Sequence, residues 1–220
     1  MFQRAASRLP RRLLRPMIAM GLLATPAAAS PAKPLILAFG DSLTAGYQLP
    51  VTQGFTAQLE AALRAKGVDA TVHNAGVSGD TSSGGRARLD WVLAGLHATP
   101  DLVILELGAN DMLRGIDPAV VRANLDAMLA DLQRRQVRVL LAGMLAAPNL
   151  GVPYAKAFNP IYPQLAARYR VPLYPFFLNG VTLHPDLQLP DRLHPTAKGV
   201  GVMVRAILPT VLRALPPAHG

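Results

Sequence analysis

Five short apolar runs punctuate this chain, at 35–39, 70–74, 102–107, 137–144 and 171–174. Between them the apolar positions change period. Phe55, Leu59 and Leu63 recur every four residues and predict a helix over 54–66, with Gly67 as its stop. A helical stretch passes through Trp91 and Leu96. Another opens at Pro118 and keeps Val121, Leu125, Met128 and Leu132 on one face. A helix holding Tyr162, Leu165 and Tyr169 precedes the last strand, a proline-rich loop covers 175–193, and a final helix is predicted over 195–212.

The strand runs are continuously apolar rather than alternating, which suits a parallel sheet covered on both faces. Alternating strands and helices imply right-handed crossovers. The predicted fold is therefore α/β, a three-layer αβα sandwich with a five-stranded parallel sheet. Ligands of such sheets bind beyond the carboxyl ends of the strands. That places the loops at 40–47, 76–85, 108–115 and 146–153 on one rim, joined by the loop before the last helix.

The formal charge of +9 invites a nucleic-acid reading, but its distribution argues against one. Arg4, Arg8, Arg11, Arg12 and Arg15 precede a short apolar stretch at 17–24 and then Ala27-Ala28-Ala29, and no acidic residue occurs before Asp41. This is the pattern of a secretory signal peptide over residues 1–29. The apolar stretch is shorter than the roughly 20 residues that span a bilayer. Cleavage after Ala29 would take five arginines from the 22 basic residues and leave 17 against 13 acidic, a net +4. The expectation is a single domain over 30–220, periplasmic or secreted and monomeric, without nucleic-acid partner or stable membrane anchor. With no cysteine, thiol nucleophiles, disulfides and thiolate metal sites are excluded.

Each rim loop carries polar residues that a plain turn would not need. The first is "GDSLTAGY" from Gly40 to Tyr47, the second "NAGVSGDT" from Asn74 to Thr81, the third "LGANDMLRG" from Leu107 to Gly115. The loop before the last helix ends in "DRLHP", where Asp191 stands three residues before His194. That spacing lets a carboxylate hold the far nitrogen of an imidazole. His184-Pro185 is a second His-Pro pair, but Val181 occupies the position where an acid would be needed. A serine hydroxyl needs a base within hydrogen-bond reach and preorganised donors for the oxyanion. Ser42 can offer its own N–H, Gly79 a second N–H and Asn110 a side-chain N–H. Asp41, Asp80 and Asp111 lack a histidine cluster at ligand spacing and read as turn and cap residues.

These four segments, in this order, resemble the sequence blocks of the SGNH, or GDSL, hydrolase family, in particular its thioesterase I / lysophospholipase L1 / arylesterase branch. The likeness extends through "AFNPIYPQLAARYRVPLYPFF" from Ala157 to Phe177. The resemblance implies a flavodoxin-like sandwich and a serine acyl-hydrolase that uses neither cofactor nor metal. It implies Ser42 as nucleophile, His194 and Asp191 as base and acid, and Ser42, Gly79 and Asn110 as the oxyanion hole. In the second block the functional glycine is then Gly79, directly before Asp80-Thr81, and not Gly76. Leu113 and Asn149 are expected to contact a small-molecule ester or thioester. The chain departs from the family in two places. Ala109 replaces a common second glycine, which should stiffen the third loop. The 145–151 segment lacks an arginine near its start, which bears on substrate preference. Two other readings stand beside the acyl-ester hydrolase: a carbohydrate acetylesterase with the same triad, and a non-catalytic periplasmic binding protein.

Overall fold

The computed structural model describes Met1 and residues 33–217. Residues 2–29 of the predicted leader lie outside them. Five strands form one all-parallel sheet in the order β2-β1-β3-β4-β5: β1 (Leu35–Gly40), β2 (Thr71–Gly76), β3 (Leu102–Glu106), β4 (Val139–Ala142) and β5 (Leu173–Tyr174). The three central strands are buried almost throughout, as their unbroken apolar runs require. β2 differs from the expectation. It starts at Thr71 and continues through Gly76, and Thr71, His73 and Asn74 face solvent. Polar residues are tolerated there because β2 is an edge strand, and they discourage pairing with another chain.

Short helix α1 (Ser42–Ala45) follows β1 directly, and α2 (Phe55–Arg64) leads to β2. Then come α3 (Ser82–Ala94), α4 (Ala109–Leu113), α5 (Pro118–Arg134), α6 (Gly151–Phe158), α7 (Ile161–Tyr169) and α8 (Ala197–Ala214). α2 packs with α8, and α3 and α7 both pack with α5. With right-handed crossovers these two groups cover opposite faces of the sheet. Helix starts follow their caps. Asp117 accepts the Ala119 N–H ahead of Pro118, and Thr196 accepts the Gly199 N–H ahead of α8. α8 buries Val200, Met203, Val204, Ile207, Leu208 and Val211, a spacing of three and four that lays one face on the core.

Two elements depart from the expected pattern. The segment from 146 to 153 is no plain loop: it passes through a 3₁₀ turn at Pro148–Leu150 into α6. Its first N–H, of Ala146, is held by Asn159 Oδ1 at 2.8 Å. α1 was not foreseen, since four residues are too few to show a period.

The order 2-1-3-4-5 matters for function. The chain leaves β1 toward one face and β3 toward the other, which opens a crevice between their carboxyl ends. Ser42 follows β1 and Asn110 follows β3.

Candidate active site

At the end of β1 the backbone turns at Asp41 into α1. The Asp41 Oδ1 accepts the Leu43 N–H at 2.9 Å and caps the helix. Ser42 is thereby the first residue of α1, almost buried. His194 arrives from the loop before α8, where Leu189 N–H bonds the His194 carbonyl at 2.7 Å and closes the turn. Its Nε2 lies 2.8 Å from Ser42 Oγ, and its Nδ1 lies 2.7 Å from Asp191 Oδ2. The other Asp191 oxygen accepts the N–H groups of Leu193 and His194, at 2.9 and 3.0 Å. Partial burial pushes the Asp191 carboxyl up, but these two amides and the His194 ring outweigh it and hold it below the usual carboxylate range. A carboxylate bonded to Nδ1–H leaves Nε2 as the acceptor facing the serine. The decoy His184 sits at the N-terminus of a 3₁₀ turn and makes no side-chain hydrogen bond among the described residues.

Gly79 and Asn110 reach the same rim. Gly79 has φ +83°, a conformation costly for any residue with a Cβ, and its carbonyl accepts from Arg114 Nη2 at 2.8 Å. Gly76 owes its place to a different constraint, because a Cβ there would run into the backbone of Ala45. Asn110 lies in the first turn of α4, and its Nδ2 donates to Asp41 Oδ2 at 3.0 Å. Ala109 opens α4 in helical conformation, where alanine is a better former than glycine and leaves the backbone less freedom. Leu113 is about half exposed at the end of α4. Asn149 is exposed in the 3₁₀ turn, and its side chain forms no hydrogen bond among the described residues.

The acidic residues of the blocks brace the loops against each other. Asp111 accepts from both the N–H and the hydroxyl of Ser82, each at 2.7 Å, tying the third block to the start of α3. Asp80 pairs with Arg88 at 2.7 Å, and Arg88 also donates to the carbonyls of Gly40 and Ala75. Four side chains at the site escaped the sequence reading. Arg88 and Arg114 had no pattern to mark them. Tyr47 lays its ring 4.3 Å from the His194 ring centroid. Glu106, buried at the end of β3, did carry a signal: it is the one charged residue in the run "LVILEL". A depression of about 590 Å³ around Arg122, Gln164 and Arg168 shares no residue with this rim.

The GDSL-like lipase/acylhydrolase family model matches residues 38–202. An arylesterase of Vibrio mimicus is 44% identical over 168 residues, 76% of this chain and 83% of its own length. Esterase TesA of Pseudomonas aeruginosa is 39% identical over 199 residues, covering 90% of this chain and 96% of its own. The crystal structure of AlinE4, an SGNH-hydrolase family esterase, superposes with a TM-score of 0.72 at 49% identity, over 86% of this chain and all of that one.

Proposed function

Since this chain belongs to the GDSL-like lipase/acylhydrolase family, we propose that it is an exported serine ester hydrolase working through Ser42, His194 and Asp191. The observation that carries the reading is the unbroken hydrogen-bond chain from Ser42 Oγ through the imidazole to Asp191, at 2.8 and 2.7 Å. His194 Nε2 takes the hydroxyl proton as Ser42 Oγ bonds to the acyl carbon. The carbonyl π pair moves onto oxygen, and the oxyanion is met by the N–H groups of Ser42 and Gly79 and by the Asn110 amide. The tetrahedral centre collapses, its bond to the leaving oxygen or sulfur breaks, and His194 protonates that atom. Water then attacks the acyl-enzyme by the same route and releases the acid. Asp191 keeps the imidazole in the required tautomer throughout.

The substrate class follows from the surface of the rim. Val77, Leu113, Leu145 and Leu193 stand exposed on the loops that surround the triad, a distribution that suits an apolar acyl or aryl group. The named relatives are an arylesterase and two esterases, which puts ester substrates first. For an exported enzyme, esters of small alcohols, phenols or lysophospholipids are the better physiological match. Among the described residues no helix is long and apolar enough to cross a membrane.

One panel tests the proposal. p-Nitrophenyl esters from acetyl upward, beside acetyl-xylan, are assayed on the mature protein with Ser42→Ala as control. Turnover of acyl esters that disappears in the variant is expected. Undiminished turnover in Ser42→Ala overturns the assignment, and activity confined to acetyl-xylan favours the carbohydrate acetylesterase.

A further inference from the structure

Two carboxyls lie directly beneath the nucleophile turn, and the triad uses neither. Asp41 and Glu106 are both essentially inaccessible, at 0% and 1% exposure. Neither forms a salt bridge among the described residues. The nearby Arg88 is taken up by Asp80 and by the carbonyls of Gly40 and Ala75. Glu106 Oε2 accepts from the Thr44 hydroxyl at 2.8 Å and from the Asp41 N–H at 3.3 Å. Its Oε1 is buried without a hydrogen-bond partner. The carboxyl occupies space that Gly40 leaves free, since a Cβ there would overlap Thr44 Oγ1 and Glu106 Oε2. Asp41 is better served, with both oxygens accepting, one from the Leu43 N–H and one from Asn110 Nδ2.

Two neighbouring buried carboxylates without a cation cannot both stay charged. The one with an orphan oxygen is the one to hold a proton. Burial and the neighbouring Asp41 charge indeed push the Glu106 carboxyl well above its ordinary range. Asp41 then carries the single negative charge of the pair, where Asn110 needs it. A carboxylate oxygen at 3.0 Å can face only the NH₂ end of the Asn110 amide, because the amide oxygen would be repelled. With one N–H so engaged, planarity aims the second. The same carboxylate caps α1 and so fixes the Ser42 N–H.

Building on the triad reading, we propose that Asp41 is a positioning residue for the oxyanion hole, acting through Asn110, and that Glu106 is its neutral brace. In Asp41→Asn the new amide keeps one oxygen, which the Leu43 N–H claims, and turns an NH₂ toward Asn110. Two donors then meet, and Asn110 swings its oxygen toward the reaction site.

A double-mutant cycle on the full chain tests this, with a long-chain p-nitrophenyl ester as substrate. Asn110→Ala should lower kcat by about 10²- to 10³-fold, the usual loss for one oxyanion donor. Asp41→Asn should lower it by a similar order with KM little changed. The double variant should be no slower than Asn110→Ala alone. Losses that multiply overturn the role through Asn110. Glu106→Gln, which keeps a neutral acceptor, should retain most of the turnover that Glu106→Ala loses, and equal damage by both overturns the neutral brace. Should Asp41→Asn fail to fold, the unaltered protein still decides. Its Asn110 side-chain amide protons should resonate away from random-coil positions and exchange slowly, whereas random-coil shifts and fast exchange overturn the contact. Labelling of Ser42 by a fluorophosphonate in the parent separates the two layers of the inference. Labelled parent with a multiplicative cycle sinks the positioning role alone; unlabelled parent with active Ser42→Ala sinks both.

Discussion

Asp191 is the residue whose task is most fully written in its contacts. Three donors converge on one carboxylate: two backbone amides of its own turn and the His194 Nδ1–H. The amides hold the carboxylate still, and the carboxylate holds the ring. Asp191→Asn preserves shape but presents an NH₂ to Nδ1, which selects the tautomer whose Nε2 carries a proton and cannot accept the serine's. The expected loss in kcat is on the order of 10³-fold with KM little changed, measured by steady-state ester hydrolysis across several substrates. A loss below tenfold would mean that the imidazole is oriented by something else, with the Tyr47 ring the first suspect. At this scale the sequence singled out Ser42, Asp191 and His194, which the fold joins in one hydrogen-bonded chain, because each block puts one reactive residue type in a short, unusual context. It was a poor guide to Tyr47, Arg88 and Glu106. Glu106 was marked only as the lone charge in an apolar run, and its partner, the Asp41 N–H, lies 65 residues away, a contact that no local pattern can announce.

The elements matter to the site through their ends. α8 begins three residues after His194, and Thr196 both caps it and donates its own N–H to the Leu187 carbonyl at 2.8 Å. The turn that delivers the imidazole is thus fastened to a helix whose opposite face lies in the core. Thr196→Ala removes the cap acceptor for the Gly199 N–H while leaving the backbone bond. It should cost about 1 kcal/mol of stability, read as a lower midpoint in urea with an unchanged m-value. Turnover well below that midpoint should hold. Helix interiors such as 55–64 and 118–134 were legible in the sequence because burial imposes a repeat of three and four. α6 was not. Its sequence "GVPYAKAF" buries a single side chain, Phe158, so there was no repeat to read.

At the scale of the molecule, the buried pair makes stability depend on pH in an unusual direction. Burial lifts Asp41 to about 6 from an ordinary 3.8, against the pull of the Leu43 and Asn110 donors. A carboxyl whose folded value is raised binds its proton more tightly when folded. Its contribution to stability is fully present below about 3.8 and is lost as pH rises through about 6. The difference corresponds to about 3 kcal/mol. Glu106 acts in the same direction. Asp191, held below its ordinary value, acts in the opposite one, and its stabilisation fades at more acid pH. Relative to the parent, Asp41→Asn should therefore gain stability steadily between pH 4 and pH 7, by roughly that amount. Urea titrations of both proteins at several pH values measure it. A pH-independent difference would show that Asp41 is not titrating in this range.

Read alone, the amino-acid sequence determined the fold class, and it marked the rim and the side chains on which the proposed chemistry rests. Hydrophobic period reports which face of each element is buried, and reactive groups occur in short local motifs. The tertiary structure decided what stands behind them. It brought Ser42 and His194 together across 152 positions at 2.8 Å. It made β2 a polar edge, and it set Glu106 in the space beside Gly40. Burial and distance between remote residues are properties of the folded chain, and they set the turn at Asp41 over a buried carboxyl from β3 and against the Asn110 amide.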